Sequence, residues 1–132
     1  MESAKDLMST KLITISVTDT LANAAKILLQ EKIFSIPVLD SHQAVVGLLT
    51  EQSLLRCYVL LKGQKKTNET LEKLIQYFEV PVMCSKQTEF FEVLTLMIRS
   101  QSSRILVKDE KGKLAGIIAP RDLIHSFIMM EF

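Results

Sequence analysis

Tryptophan is absent from the 132 residues, and there are only four glycines, three prolines and two cysteines. Four scattered glycines cannot build a glycine-rich loop that cradles phosphate. Cys57 and Cys84 form no CxxC unit and have no nearby histidine, which removes the usual zinc and thiol-redox signatures and leaves reduced, buried thiols. An excess of charge is also missing. Sixteen Lys and Arg against fifteen Asp and Glu leave +1, far short of what a phosphate backbone demands, so nucleic acid is excluded as a partner. No uncharged apolar run approaches the ~18 residues that cross a bilayer, and Met1 to Asp6 has neither the basic start nor the apolar stretch of a signal peptide. The expectation is a cytoplasmic protein with no membrane span. Nor does any nucleophile sit in a pattern with a base, so the chain reads as non-catalytic. What is present is 48% hydrophobic and 23% charged residues, the composition of a globular protein able to bury a core.

That core is written twice. Placing Gly47 on Gly116 sets an offset of 69 residues that holds without a gap across the following stretch. Ile36-Pro37-Val38-Leu39-Asp40 falls on Ile105-Leu106-Val107-Lys108-Asp109, and Val45-Val46-Gly47-Leu48-Leu49 on Leu114-Ala115-Gly116-Ile117-Ile118. Few identities survive, but apolar class and turn residues agree, the mark of duplicated halves. Each half begins with a short strand, Ile13-Thr14-Ile15 or Val82-Met83-Cys84. A helix follows, its apolar face made by Leu21, Ala24, Ala25 and Leu28 or by Phe90, Val93, Leu94, Met97 and Ile98. Two strands then flank a polar turn, Ser41-His42-Gln43 or Glu110 to Lys113. A second helix opens at Thr50 or Ala119, with Leu54, Leu55, Tyr58 and Val59 or Leu123, Ile124, Phe127 and Ile128 on one side, and Pro120 suits a first helical position. Residues 62–67 read as a polar linker, and the spacing of Leu71, Leu74, Ile75 and Phe78 predicts a further helix over 68–78.

The order and recurrence of these segments, Ile36 to Asp40, Val46 to Thr50 and their counterparts, resemble the CBS domain, named for cystathionine β-synthase. The tandem is similar to a CBS pair, or Bateman module, with one repeat over 4–61 and another over 68–130. The resemblance implies an α+β fold: two β-α-β-β-α repeats related by an internal pseudo-twofold, two three-stranded sheets with helices outside, and clefts between the halves. It also implies a regulatory module that binds AMP, ADP, ATP or S-adenosylmethionine, requires no cofactor, forms a homodimer and signals to another protein. The alternative is a ligand-free dimerisation scaffold with degenerate sites.

In that family a Thr or Ser ends the last strand and an Asp three residues later holds the ribose. The carboxylate suits the task, since it can accept from two adjacent hydroxyls at once. Here the positions are Thr50 and Ser53, then Ala119 and Asp122, so each half keeps one element and lacks the other. A basic residue before the second strand, Arg104, and Arg121 beside Asp122 are the phosphate candidates. Thr14, Ile36 and Pro37 in one half, and Met83 and Ile105 in the other, are the adenine-slot candidates. Each has an ordinary reading as well: Thr50 as a helix cap, Asp122 as a carboxylate favoured at a helix start, the apolar residues as core. His42 and His125 have no metal-spaced partner. Phe127, Ile128, Met129, Met130 and Phe132 exceed what one helix face buries, which suits a subunit interface.

Overall fold

The computed structural model describes residues 2–61 and 69–131; Met1, the linker 62–67, Asn68 and Phe132 lie outside them. The chain divides into two compact units, residues 13–80 and residues 1–12 with 81–132. In the first unit, β1 (Ile15–Ser16) runs parallel to β2 (Ser35–Leu39), which pairs antiparallel with β3 (Val45–Thr50). Two helices, α2 (Leu21–Glu31) and α3 (Glu51–Leu60), complete it. The second unit repeats this with β4 (Met83–Ser85), α4 (Phe90–Ser100), β5 (Ile105–Lys108), β6 (Leu114–Ile118) and α5 (Pro120–Glu131), preceded by the single-turn α1 (Ala4–Leu7). The architecture is α+β with two three-stranded sheets, as the family resemblance implied.

The repetition reaches single dihedral angles. Both first helices end on a left-handed residue, Lys32 (φ 53°) and Gln101 (φ 56°), and both hairpins turn through one, Gln43 (φ 65°) and Gly112 (φ 79°). Asp40 and Asp109 tie those turns alike: Asp40 Oδ1 accepts from His42 N and Ala44 N, and Asp109 Oδ1 from Lys111 N and Lys113 N, at 2.8–3.0 Å. Such Asx contacts fix a hairpin turn without regard to its other side chains. The β-bulges also coincide, between Val38 and Leu39 and between Val107 and Lys108.

Each unit has its own core. Ile15, Leu21, Leu28, Ile36, Val38 and Leu49 make one; Phe90, Val93, Ile105, Val107 and Ile118 make the other. The opening segment of each repeat docks on the sheet of the other. Residues 2–9 lie in the second unit, where Ala4 N donates to Thr88 O, Lys5 N to Lys86 O, and Ser9 pairs with Ile117. Residues 69–79 lie in the first, where Leu71 N donates to Asp19 O, Glu72 N to Val17 O, and Glu79 pairs with Leu48. Those obligations explain why the helix expected over 68–78 is instead two 3-10 turns, Leu71–Lys73 and Ile75–Tyr77, broken at Leu74 (φ −118°, ψ 2°). Backbone donors engaged by another segment cannot also close an α-helical ladder.

Two further expectations are corrected. The first strand starts at Ile15, one position later than its counterpart at Met83. Leu106 N donates to Val82 O at 2.9 Å, but the equivalent residue, Pro37, has no N–H to give Ile13. Thr14 is thereby left outside the strand and exposed. The apolar faces read on the second helices also turn outward in large part. Leu55, Tyr58 and Val59 are exposed, as are Ile124, Phe127 and Ile128, while Ser53 and Cys57, or Leu123 and Ser126, face the cores. Ile98, assigned to the inner face of α4, is exposed as well, whereas Phe90, Val93 and Met97 are buried as expected.

Candidate functional site at the start of the last helix

α5 begins with Pro120, which has no N–H to leave unpaired, and Ala119 before it has no side chain able to cap. The cap comes from inside the helix. Asp122 Oδ2 accepts from Ala119 N at 2.7 Å, and Asp122 N donates to Ala119 O at 3.0 Å. This is the back-bonding half of a capping box. It secures one carboxylate oxygen of a half-buried side chain and leaves the other with acceptor capacity. Arg121, exposed, stands beside it.

Both residues border an open depression of about 1040 Å³ within the second unit, together with Glu2, Asp6, His125 and Ile128. Sequence reasoning missed Glu2 and Asp6. The available signal was the three-residue spacing of Ser3 and Asp6, which form a capping box for α1, with Ser3 N and Oγ both donating to Asp6 Oδ2. Those hydrogen bonds, the backbone one first, hold the Asp6 carboxyl below the usual carboxylate range. Glu2 accepts a hydrogen bond from the buried Ser126 hydroxyl.

Arg104 does not border that depression. Its Nη1 donates to Ser103 O at 2.5 Å, while Ser102 Oγ donates to Arg104 O at 2.8 Å. Ile105, next in the chain, is fully buried and paired with Ile118, and Met83 is half-buried opposite Leu106.

The equivalent position in the first unit is closed on itself. Thr50 Oγ1 accepts from Ser53 N at 3.1 Å, Ser53 Oγ accepts from Thr50 N at 3.1 Å, and the two hydroxyls lie 2.9 Å apart. Ser53 is 1% exposed. Both hydroxyls are used in capping α3, so the pair has little left to offer a ligand. Ile36 and Pro37 are buried in β2, with Ile36 opposite Leu49. Burial raises the pKa of the Cys57 and Cys84 thiols, which keeps them protonated and unreactive. Among the described residues no cluster of His, Cys, Asp and Glu could hold a metal ion, and no helix is long and apolar enough to cross a membrane.

A sheet of one parallel and one antiparallel pairing, flanked by two helices and occurring twice, defines the class of fold. The model of the CBS domain matches residues 4–60 and again 68–128, and the chain belongs to that family, with two CBS domains in tandem. An uncharacterized protein YlbB of Bacillus subtilis is 33% identical over 127 residues, covering 93% of this chain and 80% of its own. Inosine-5′-monophosphate dehydrogenase of Methanocaldococcus jannaschii is 26% identical over 125 residues, and there the chain spans only 23% of the relative's length. Among solved structures, CBSX2 in complex with AMP, an Arabidopsis thaliana CBS-pair protein, superposes with a TM-score of 0.82 at 21% identity over the whole of both chains. The CBS domain pair of protein MJ0100, in complex with 5′-methylthioadenosine and S-adenosyl-L-methionine, gives 0.79 at 23% identity over 98% of each chain.

Proposed function

We propose that this chain is a non-catalytic, cytoplasmic regulatory module whose second repeat binds an adenine nucleotide or nucleoside, AMP, ADP, ATP or S-adenosylmethionine, with Asp122 holding the ribose. Its repeats run over 4–61 and 68–130 with 62–67 as linker. The observation that carries the reading is the half-used carboxylate of Asp122 at the mouth of a depression. The AMP and S-adenosylmethionine complexes of similar folds support it. Arg104 and Arg121 are the phosphate contacts, Met83 and Ile105 the adenine slot. Thr50, Ser53, Thr14, Ile36 and Pro37 make the weaker, first-repeat counterpart. Such a module regulates only if the ligand prefers one arrangement of the protein or its partner over another.

A second reading, a ligand-free homodimerisation scaffold, draws on the self-satisfied Thr50 and Ser53 and on the matched outward residues of α3 and α5. Calorimetric titration with AMP, ATP and S-adenosylmethionine, paired with sedimentation over a range of protein concentrations, separates the two. The first reading expects saturable heat that Asp122→Asn weakens about 10- to 100-fold, as loss of a charged acceptor would, while Asn still accepts from Ala119 N. Dimers that form without heat from any ligand at millimolar concentration would leave the scaffold.

A further inference from the structure

Two stretches of chain far apart in sequence share the wall of the depression at Asp122. Glu2, Asp6 and Leu7 come from the docked opening segment; Asp122, His125 and Ile128 come from α5. One buried side chain latches the two together. Ser126, 6% exposed, donates its hydroxyl to the Glu2 carboxylate. It stands four residues after Asp122 and so on the same face of α5. On α4 the helical hydroxyls are satisfied locally instead: Thr95 and Ser100 donate to the carbonyls of Phe91 and Leu96, four residues back. The corresponding acceptor for Ser126, the carbonyl of Asp122, is in reach whenever Glu2 leaves. Ser126 therefore has two satisfied states, one with the segment docked and one with it lifted, and lifting strands no buried donor. At the equivalent place in the first repeat Cys57 is buried and carries no hydroxyl to latch residues 69–79.

The segment is also held at places that do not border the depression. Ala4 N donates to Thr88 O, Lys5 N to Lys86 O, Ser9 and Ile117 pair with each other, and Met8 lies over Gly116. Resting on the reading of Asp122 as the ribose anchor, we infer that residues 2–9 form a strap whose docking is coupled to occupancy of that site. A ligand lying on Asp122 meets a wall that exists only while the strap is down. Whatever holds the strap down then tightens binding, and binding holds the strap down by the same factor. The signal offered to a partner is the strap itself, docked when the site is filled and released when it empties.

The test joins amide hydrogen exchange to calorimetry on the full chain, with AMP, ATP and S-adenosylmethionine as probes. A saturating probe should slow exchange at Ala4, Lys5, Ser9 and Ile117 about tenfold, and by less at Leu48 and Glu79, the corresponding pair in the first repeat. Gly116→Ala pushes on Met8, outside the depression, and should weaken the tightest probe about tenfold; Ser126→Ala, which removes the latch, should weaken it severalfold. Thermal melting establishes that each variant is folded at the temperature of titration, and if Gly116→Ala is not, exchange in the wild type decides. Suppose a probe binds and Asp122→Asn weakens it. Unmoved exchange across residues 4–9, or wild-type affinity in folded Gly116→Ala, then overturns the strap and leaves the anchor standing. No binding by any probe, or affinities that Asp122→Asn does not change, overturns the anchor and the strap with it.

Discussion

Thr50, Ser53 and Cys57 on one helix, and Ala119, Asp122 and Ser126 on the other, occupy the same three positions of the repeated fold. In the first repeat the hydroxyls at the helix start satisfy each other and the position one turn on is an apolar thiol, fully buried. In the second, the start is held from one side only, and the buried hydroxyl of Ser126 reaches out to Glu2. Equivalent positions of the repeated fold thus carry one helix start whose polar groups are spent internally and another with acceptors to spare. The comparison teaches that duplication preserves what the fold needs, the caps, bulges and left-handed turns. It leaves ligand chemistry free to diverge, because a cap can be made in more than one way.

The largest expected effect that sharpens this comparison lies under the docked segments. A β-carbon added to Gly116 would sit 2.6 Å from Met8 Cγ and 2.8 Å from Met8 Cβ; one added to Gly47 would meet Phe78 at 3.3 Å or more. Contact with a side chain's root cannot be relieved by swinging its tip, so Gly116→Ala must lift residues 2–9 off β6. Overpacking of this kind costs about 1–3 kcal/mol, and Gly116→Ala belongs near the upper end, Gly47→Ala near or below the lower. Urea unfolding of both variants measures the difference. Equal losses would show that Met8 and Phe78 do not seat their segments in the way the coordinates place them.

Next in size is the pair of hairpin turns. Gln43 and Gly112 share a left-handed backbone that costs a side-chain-bearing residue about 1–2 kcal/mol and glycine almost nothing. A β-carbon at Gly112 meets no atom within 4 Å, so the cost of Gly112→Ala is conformational alone. Gly112→Ala should lower stability by about 1 kcal/mol, and Gln43→Gly should raise it by somewhat less, since a more flexible unfolded chain offsets part of the gain. Thermal melting checks both signs. A destabilising Gln43→Gly would mean that the glutamine side chain makes compensating contacts.

Local chemistry explains which parts of this molecule could be read from its residues. The 69-residue offset carried Gly47 onto Gly116 and Thr50 onto Ala119, and with them the strands, first helices and turns, because pattern and capping act over a few residues. The place of Asp122 in the first turn of α5 was legible for the same reason. The docking of residues 2–9 and 69–79 was not, since their backbone partners lie up to about 110 positions away (Ser9 on Ile117). With that docking went Glu2 and Asp6, and the 3-10 turns where a helix was expected. Pro37 was visible, but its effect, a first strand shortened because one donor is missing, needs the register between strands to become apparent. The outward residues of α3 and α5 are apolar at helical spacing, and spacing alone cannot say which flank of such a stripe faces in.

The smallest effect is one of pH. Asp109 holds the second hairpin by accepting from Lys113 N and Lys111 N, and those hydrogen bonds, the first named most, draw its carboxyl below the usual carboxylate range. A folded-state pKa below the unfolded one, near 3.9, means the unfolded chain takes up the proton first. The contribution of Asp109 is therefore complete above the unfolded value and disappears as the pH falls through the folded one. Asp6, lowered by its bonds from Ser3, adds to the same acid limb. Asp109→Asn retains an acceptor for the turn but cannot titrate, so its stability should fall less steeply than wild type below about pH 4. Parallel acid limbs for the two proteins, followed by urea unfolding at a series of pH values, would show that the turn gains nothing from the charge and that the Asx geometry alone sets it.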